Sequence, residues 1–489
     1  MKKKLALVLC ACAMLAGCSH AVSFTNETVE SVENKTSTTD DSEKDEASSV
    51  NNDAEEGTKE ESSENEETLA ESSEEKEDAS KDSEQRDEKS GVIDGDTQVD
   101  RTNFNAYDKA AYFADRVYQE NKKNTLVSPI SLNLALGLAA QGADGDTARE
   151  LAKYLDEEDY ASWAEKYMNF AESLTEDPND KKRTSSKDDR SAYDFIDENG
   201  GYTFRYEIAN SLWVDKQYRL QDAYRDIVQR KFDAEVDNVD FVNEKEKSAD
   251  LINSWCNEKT RGLIPKIVEP NMFPDELATV LVNSLYFESP WQDKWRLSKH
   301  EFTDFDGNST EKEMLYDGDL HTYYENDKAI AFSKNYYNGF QFIGILPKKT
   351  GEFEIRDLDL KSLMDSKTNE YEVHAIAPKL NFECFTDTVI DILQEQGVQK
   401  AFDRNYGFSH MVEDKPVYIE KILQKCKIEM DENGTKAAAV TAMMMKVGSA
   451  MMEEPKVFKE VILDRPFAFM IYDSQNDQIL FVGKVTNVD

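Results

Sequence analysis

The sequence predicts an α+β domain occupying residues 103–489 of a 489-residue chain. Two observations carry that expectation. Apolar residues at helical spacing (Ala110, Phe113, Ala114, Val117) are followed further along by strand-like runs such as Val282-Asn283-Ser284-Leu285-Tyr286-Phe287. The second is a stretch near the C-terminus that reads with period two. Thr435, Ala437, Ala439, Thr441, Met443 and Met445 fall on one face, and Lys436, Ala438, Val440, Ala442, Met444 and Lys446 on the other. The first face is small or apolar throughout, and both lysines lie on the second. Such a segment is fit to be a strand with a compact inner face. It nonetheless runs into Gly448-Ser449, an acidic pair and Pro455, which is loop composition. A loop written so that it can become a strand suggests a switch.

The chain opens with Met1-Lys2-Lys3-Lys4, then a short apolar run from Leu5 to Leu15, too short to span a membrane as a stable helix. Leu15-Ala16-Gly17-Cys18 resembles the lipobox of bacterial lipoproteins. That resemblance implies a signal peptide over residues 1–17, cleavage before Cys18 and lipidation of Cys18. Residues 18–102 hold few large apolar side chains and recurring acidic clusters such as Glu64-Asn65-Glu66-Glu67. Such a segment cannot offset its ordering entropy by burial, so a disordered tether is expected. A flexible chain of that length spans about 50 Å root-mean-square. The formal net charge of -41 is thus concentrated in part on a solvated arm and says little about partners. Nothing is basic enough for nucleic acid.

Within the domain, the helix around Ala110–Val117 leads to Leu126-Val127-Ser128-Pro129-Ile130-Ser131 and an apolar helix from Leu132 to Ala140. Gly142 and Gly145 punctuate, and Thr147 is placed to cap the next helix. The polar run from Glu176 to Gly201 reads as a long surface loop. Ala209-Asn210-Ser211-Leu212-Trp213-Val214 reads as a mostly buried strand. No internal repeat is evident. Cys10 and Cys12 fall in the signal peptide, leaving Cys256, Cys384 and Cys426 in the domain. Three cysteines cannot all pair within one chain and no CxxC spacing exists, so buried free thiols are expected.

Several blocks, in order, resemble the serpins, the family of serine-protease inhibitors that trap their target by changing shape. Glu432, Gly434, Thr435, Ala437, Ala438, Ala439 and Thr441 match the family's hinge position by position. Asn124, Ser128, Pro129, Ser131, Gly142, Ala143, Gly145 and Thr147 match a second block. Ile252-Asn253-Ser254-Trp255, Thr260, Gly262 and Ile264 match a third, with Cys256 where the family has Val. Val282–Phe287 with Trp291 and Trp295 resembles the strand ending in Lys-Gly-x-Trp, although Glu288-Ser289-Pro290 replaces the usual residues. Asp464-Arg465-Pro466-Phe467, then Ile479-Leu480-Phe481-Val482-Gly483-Lys484-Val485, matches the family's ending.

The resemblance implies a fold of several helices around three β-sheets with an exposed reactive-centre loop. It implies a suicide substrate: a serine protease attacks the loop, becomes a covalent acyl-enzyme, and is dragged away as the freed loop inserts into the central sheet. Asn124, Ser128, Ser131, Asn283, Trp291 and Gln424 fall where that sheet opens. Gln424 stands where many serpins have His, so no pH switch is expected there. What the residues themselves add is compatibility, because no charge lies on the inner face from Thr435 to Met445.

Counting from Glu432 puts the cleaved bond near Gly448-Ser449, which suits an elastase-like or subtilisin-like protease; Lys446 and Val447 are alternatives, and Lys446 would suit a trypsin-like enzyme. A non-inhibitory serpin acting as a surface binding protein is the other reading. The five histidines sit in no catalytic motif, and no Gly-x-Ser-x-Gly, zinc spacing or phosphate loop occurs, so no enzyme, cofactor or metal is expected. The remaining expectations are a monomer, lipid-anchored on the outer face of a bacterial membrane or extracellular, with no nucleic-acid partner.

Overall fold

A computed structural model of the chain describes residues 101–155, 205–336, 339–413, 417–435 and 457–488. The described part begins with helix α1, Ala106–Asn121, whose start is fixed by a reciprocal cap. Asn105 accepts from the Tyr107 and Asp108 amides, and Asp108 in turn accepts from the Asn105 amide. Its apolar stripe, Ala110, Phe113, Ala114 and Val117, is buried as the spacing predicts. Strand β1, Thr125–Val127, leads into α2, Pro129–Ala140, which is apolar nearly all round and correspondingly buried. It starts three residues earlier than the apolar run alone suggests, because Ser128 caps it and Pro129 fits the first turn. The next helix, α3 (Gly145–Tyr154), is preceded by Asp144 without a side-chain cap bond; Thr147 lies inside it and is buried, so it is no cap.

Beyond residue 204 the elements are β2 (Arg205–Asp215), α4 (Asp222–Phe232), β3 (Glu235–Val239), α5 (Lys245–Lys259) and β4 (Thr279–Pro290). Then follow β5 (Arg296–Thr303), β6 (Ser309–Leu320), β7 (Tyr323–Glu325), β8 (Ala329–Asn335), β9 (Phe340–Pro347) and α6 (Leu360–Asp365). The last group is β10 (Glu372–Pro378), β11 (Leu380–Thr386), α7 (Val389–Glu395), β12 (Lys421–Met430), β13 (Gly434–Thr435), β14 (Phe458–Ile462), β15 (Phe467–Asp473) and β16 (Gln478–Val485).

These strands form three sheets, in the orders β1-β16-β15-β9-β8-β7, β14-β10-β6-β5 and β11-β12-β13-β4-β2-β3. Helices and three sheets together make the α+β architecture expected. The first sheet is built around β9, β15 and β16, whose near-continuous apolar runs are buried on both faces. Gly483 is required within it: a Cβ there would lie 2.2 Å from the Phe469 ring.

The third sheet positions the site. One face packs into the main core, where Leu281, Leu285, Phe287, Ile422, Cys426 and Ile428 meet α2 and the first sheet. Its other face is covered by α5, through Trp213, Val280, Val282 and Leu423 against Ile252, Trp255 and Cys256. All three domain cysteines are buried, and none is bridged in the structure. Among the described residues no helix is long and apolar enough to cross a membrane, and no group of His, Cys, Asp and Glu is placed to hold a metal ion.

Candidate functional site

The centre of the third sheet contains a seam. β12 and β4 pair directly and in parallel from Lys421↔Val280 to Lys425↔Ser284. Past Lys425 that pairing ends, and β13 occupies the space between them. Thr435 pairs with Met430 of β12 and with Ser289 of β4, and Gly434 pairs with Pro290, all antiparallel. The chain reaches this point through a tight turn in which the Asp431 carboxylate accepts from the Asn433 and Gly434 amides.

A buried polar cluster lies under the paired part of the seam. Gln424 donates to Asn283 Oδ1 at 2.7 Å, crossing from β12 to β4. The same amide clasps the backbone of Ser128, accepting from its N–H at 2.9 Å and donating to its carbonyl at 3.0 Å. Asn283 donates to the Ser131 carbonyl, the Ser131 hydroxyl and Asn210 Oδ1, each at 2.6 Å. The Ser128 hydroxyl donates to the Leu480 carbonyl at 2.7 Å, tying the cluster to the first sheet. Every member is buried. A buried amide with its donors and acceptors met stabilises one arrangement, and losing a partner is costly. Asn210, on β2, belongs to this cluster although the sequence marked it only as part of a buried strand that resembles a family motif, not as a seam residue.

At the far end of the seam, aromatic residues hold the Asp431–Thr435 segment. Trp291 donates from its indole to the Asp431 carbonyl at 2.8 Å and from its backbone to the Asn433 carbonyl at 3.0 Å. Its ring stacks on Tyr336 with centroids 4.1 Å apart, and both are fully buried. The Tyr336 hydroxyl meets the Thr435 hydroxyl at 2.6 Å. Burial pushes the Tyr336 phenol well above its ordinary range, so it stays a neutral hydrogen-bonding group. The Trp295 amide donates to the Glu432 carbonyl at 3.1 Å. Burial opposes ionisation of Glu432, yet a backbone hydrogen bond and Lys379, 3.0 Å away, together hold its carboxyl below the usual range. Tyr336 was not anticipated from the sequence.

Of the residues expected at the opening sheet, Ser128, Ser131, Asn283 and Gln424 come together in one cluster, and Trp291 sits at the hinge. Asn124 does not join them. Its side chain donates to the Asn487 carbonyl at 2.7 Å and accepts from the Thr486 amide at 2.8 Å, pinning the end of the chain beside β1. Among the hinge residues, Glu432, Gly434 and Thr435 are placed as above. Ala437, Ala438, Ala439 and Thr441, the candidate bond residues Lys446, Val447, Gly448 and Ser449, and Cys18 lie outside the described residues.

Residues 107–488 match the family model described as "Serpin (serine protease inhibitor)". The chain is 30% identical over 388 residues to an uncharacterized serpin-like protein of Thermococcus kodakarensis, covering 77% of this chain and 84% of that one. It is 26% identical over 398 residues to Serpin B6 of Pongo abelii, covering 76% and 94%. Among solved structures it is similar to the native state of tengpin, a thermophilic serpin, with TM-score 0.64 at 24% identity, covering 78% and 94%. It is also similar to Serpin48 of the insect Tenebrio molitor, with TM-score 0.62 at 24% identity, covering 81% of this chain and all of that one. The match runs from residue 107 to 488, the seam and the Asp431–Thr435 turn included, and the chain belongs to the serpin family of protease inhibitors.

Proposed function

We propose that this chain is a suicide inhibitor of a serine protease, acting by cleavage of the segment between Thr435 and Phe458 and insertion of that segment into the seam. The observation that carries this reading is the register of β13. Its two residues are already seated between β12 and β4, antiparallel to both, in line with the direct β12–β4 pairing.

Continuing that register makes a specific match. Lys436 would come between Glu429 and Glu288, Ala437 between Ile428 and Phe287, and Ala439 between Cys426 and Leu285. Thr441 would come between Gln424 and Asn283. Counting along β12 and along β4 gives the same answer, because Gln424 and Asn283 are themselves register partners. The lysine then meets two carboxylates, the alanines enter the core-facing side without bulk, and the threonine hydroxyl reaches the two amides it would separate. A backbone inserted there would also meet N–H and C=O groups on both neighbouring strands, as a central strand requires.

For the target we favour an elastase-like or subtilisin-like protease cutting at Gly448-Ser449, with a trypsin-like protease cutting after Lys446 as the second reading. The lipobox-like Leu15-Ala16-Gly17-Cys18 supports placement on the outer face of a membrane, tethered by the acidic arm; a monomer is part of the same proposal. Fold likeness alone leaves room for a binding role, since one neighbour is a thyroxine-binding globulin in complex with thyroxine, at 20% identity. The test is incubation with a panel of serine proteases. The inhibitor reading expects a protease-linked band that survives boiling in detergent, and a released peptide whose mass identifies the cut bond. Clean cleavage with no linked band by every protease in the panel would mean a substrate, not an inhibitor.

A further inference from the structure

On the side of the seam away from β4, β12 is joined to β11 by an antiparallel ladder running from Leu380↔Met430 to Thr386↔Gln424. In the middle of that ladder Cys384 and Cys426 are direct partners. Directly opposed residues on antiparallel strands point to the same face with Cα atoms about 4.5–5.5 Å apart. A disulfide spans Cα separations of about 4.4–6.8 Å, so this pair can close with little backbone movement. Both side chains lie in the main core, beneath the seam. Cys256 belongs to the cluster on the opposite face of the sheet, against α5, and cannot reach either of them.

We propose that Cys384 and Cys426 form a cross-strand disulfide when the chain folds under oxidising conditions, leaving Cys256 as the unpaired thiol. With a small-molecule disulfide as oxidant, one protein thiolate attacks a sulfur of the oxidant and releases one thiol. The second protein thiolate then attacks the mixed disulfide at the protein sulfur and releases the other. Two protein thiols become one S–S bond, the oxidant is reduced to two thiols, and the two protons leave on them.

Burial raises both thiols, and the neighbouring Cys384 adds to the rise at Cys426, so neither is a ready nucleophile in the folded chain. The exchange therefore belongs to folding, before β11 and β12 close over the sulfurs. Once formed, the bond is shielded from reductant by the same burial.

The bridge would tie β11 to β12 without crossing from β12 to β4. It stiffens the frame on one side of the seam and leaves the insertion path open. It also touches the seam chemically. In the thiol form the Cys426 sulfur donates to Gln424 Oε1 at 3.6 Å, a weak contact that oxidation removes. The proposal does not depend on the loop's role, since it rests on the β11–β12 register alone.

The test is peptide mapping of the full wild-type chain. Reduced, unfolded protein is refolded in oxidised or in reduced glutathione, alkylated in denaturant, and digested without reduction. After oxidised refolding the expected product is a peptide pair linked through Cys384 and Cys426, with Cys256 alkylated, so that two of the domain's three thiols are lost. Cys256→Ser should keep the linkage. The oxidised wild type should also unfold at a higher temperature than the reduced form. Recovery of Cys384 and Cys426 as separate alkylated peptides from folded, oxidised protein would overturn the proposal. So would linkage of Cys256 to either of them at comparable yield.

Discussion

Gln424 and Asn283 face each other across the seam twice over: their backbones are register partners in β12 and β4, and their side-chain amides share a hydrogen bond of 2.7 Å. Under the proposed insertion, this bond is the one a new strand would have to break. Gln424→Ala would leave the Ser128 amide, the Ser128 carbonyl and Asn283 Oδ1 without their partner. We expect a loss of stability of the uncleaved form on the order of 3 kcal/mol, read from denaturant unfolding.

The same position gives a pH prediction. Gln424 does not titrate, so the wild-type seam should show no pH dependence of its own near neutrality. Gln424→His places an imidazole among buried groups, where desolvation lowers its pKa below the ordinary value of about 6.5. A group lowered in the folded state gives stability that is present above its unfolded pKa and lost as pH falls through the folded one. The variant should therefore lose stability below about pH 6 relative to wild type. Parallel pH profiles of the two would refute the assignment of Gln424 to the closed seam.

Thr435 is buried, paired on both sides, and bonded to Tyr336. Thr435→Arg puts a charge at a buried position whose side chain is bonded to the neutral Tyr336 hydroxyl. Insertion should stall, so that cleavage proceeds without the detergent-resistant complex. The measurement is the ratio of linked to cleaved protein on a gel. Tyr336→Phe removes only the hydroxyl contact and should cost about 1 kcal/mol with inhibition retained.

Asp115 offers a test away from the seam. It is buried on α1 and accepts from the Ile355 amide at 2.8 Å and the Arg356 amide at 3.0 Å. Burial raises its carboxyl from 3.8 to about 6, against those hydrogen bonds and the nearby Lys484 ammonium. A raised acid contributes stability that is complete below the unfolded value and lost as pH rises through the folded one. Between pH 4 and pH 7 the stability of wild type relative to Asp115→Asn should fall by on the order of 3 kcal/mol. A flat difference would mean that Asp115 is not held in a desolvated site.

Much of this arrangement was legible in the sequence because it is local. The helical spacing of α1 and the apolar body of α2 from Leu132 to Ala140 follow from short-range pattern, and the residues of β15 and β16 were marked by the family's ending. Gln424, Asn283, Ser128 and Ser131 were found through the family motifs. What the motifs did not reveal is what packs on what. Tyr336 directly follows β8 in the context Asn335-Tyr336-Tyr337, which carries no sign that its ring will stack on Trp291. Asn210 belongs to a strand motif of the family, but nothing in that motif shows that Asn283 donates to it. Asn124 sits within a motif whose Ser128 and Ser131 lie under the seam, yet its own partners are Thr486 and Asn487 at the far end of the chain. Thr147 has the right residue type for a cap, but Gly145, with φ of 48°, starts the helix earlier. The facing of Cys384 and Cys426 depends on the β11–β12 register, which spacing alone does not set.

Thermal unfolding of the domain before and after a single nick between Met445 and Met451 tests the central claim most directly. Insertion into the seam adds a central strand with hydrogen bonds on both sides, so the midpoint of the nicked protein should rise well above that of the intact one. A nicked protein that unfolds at or below the temperature of the intact chain would contradict the account.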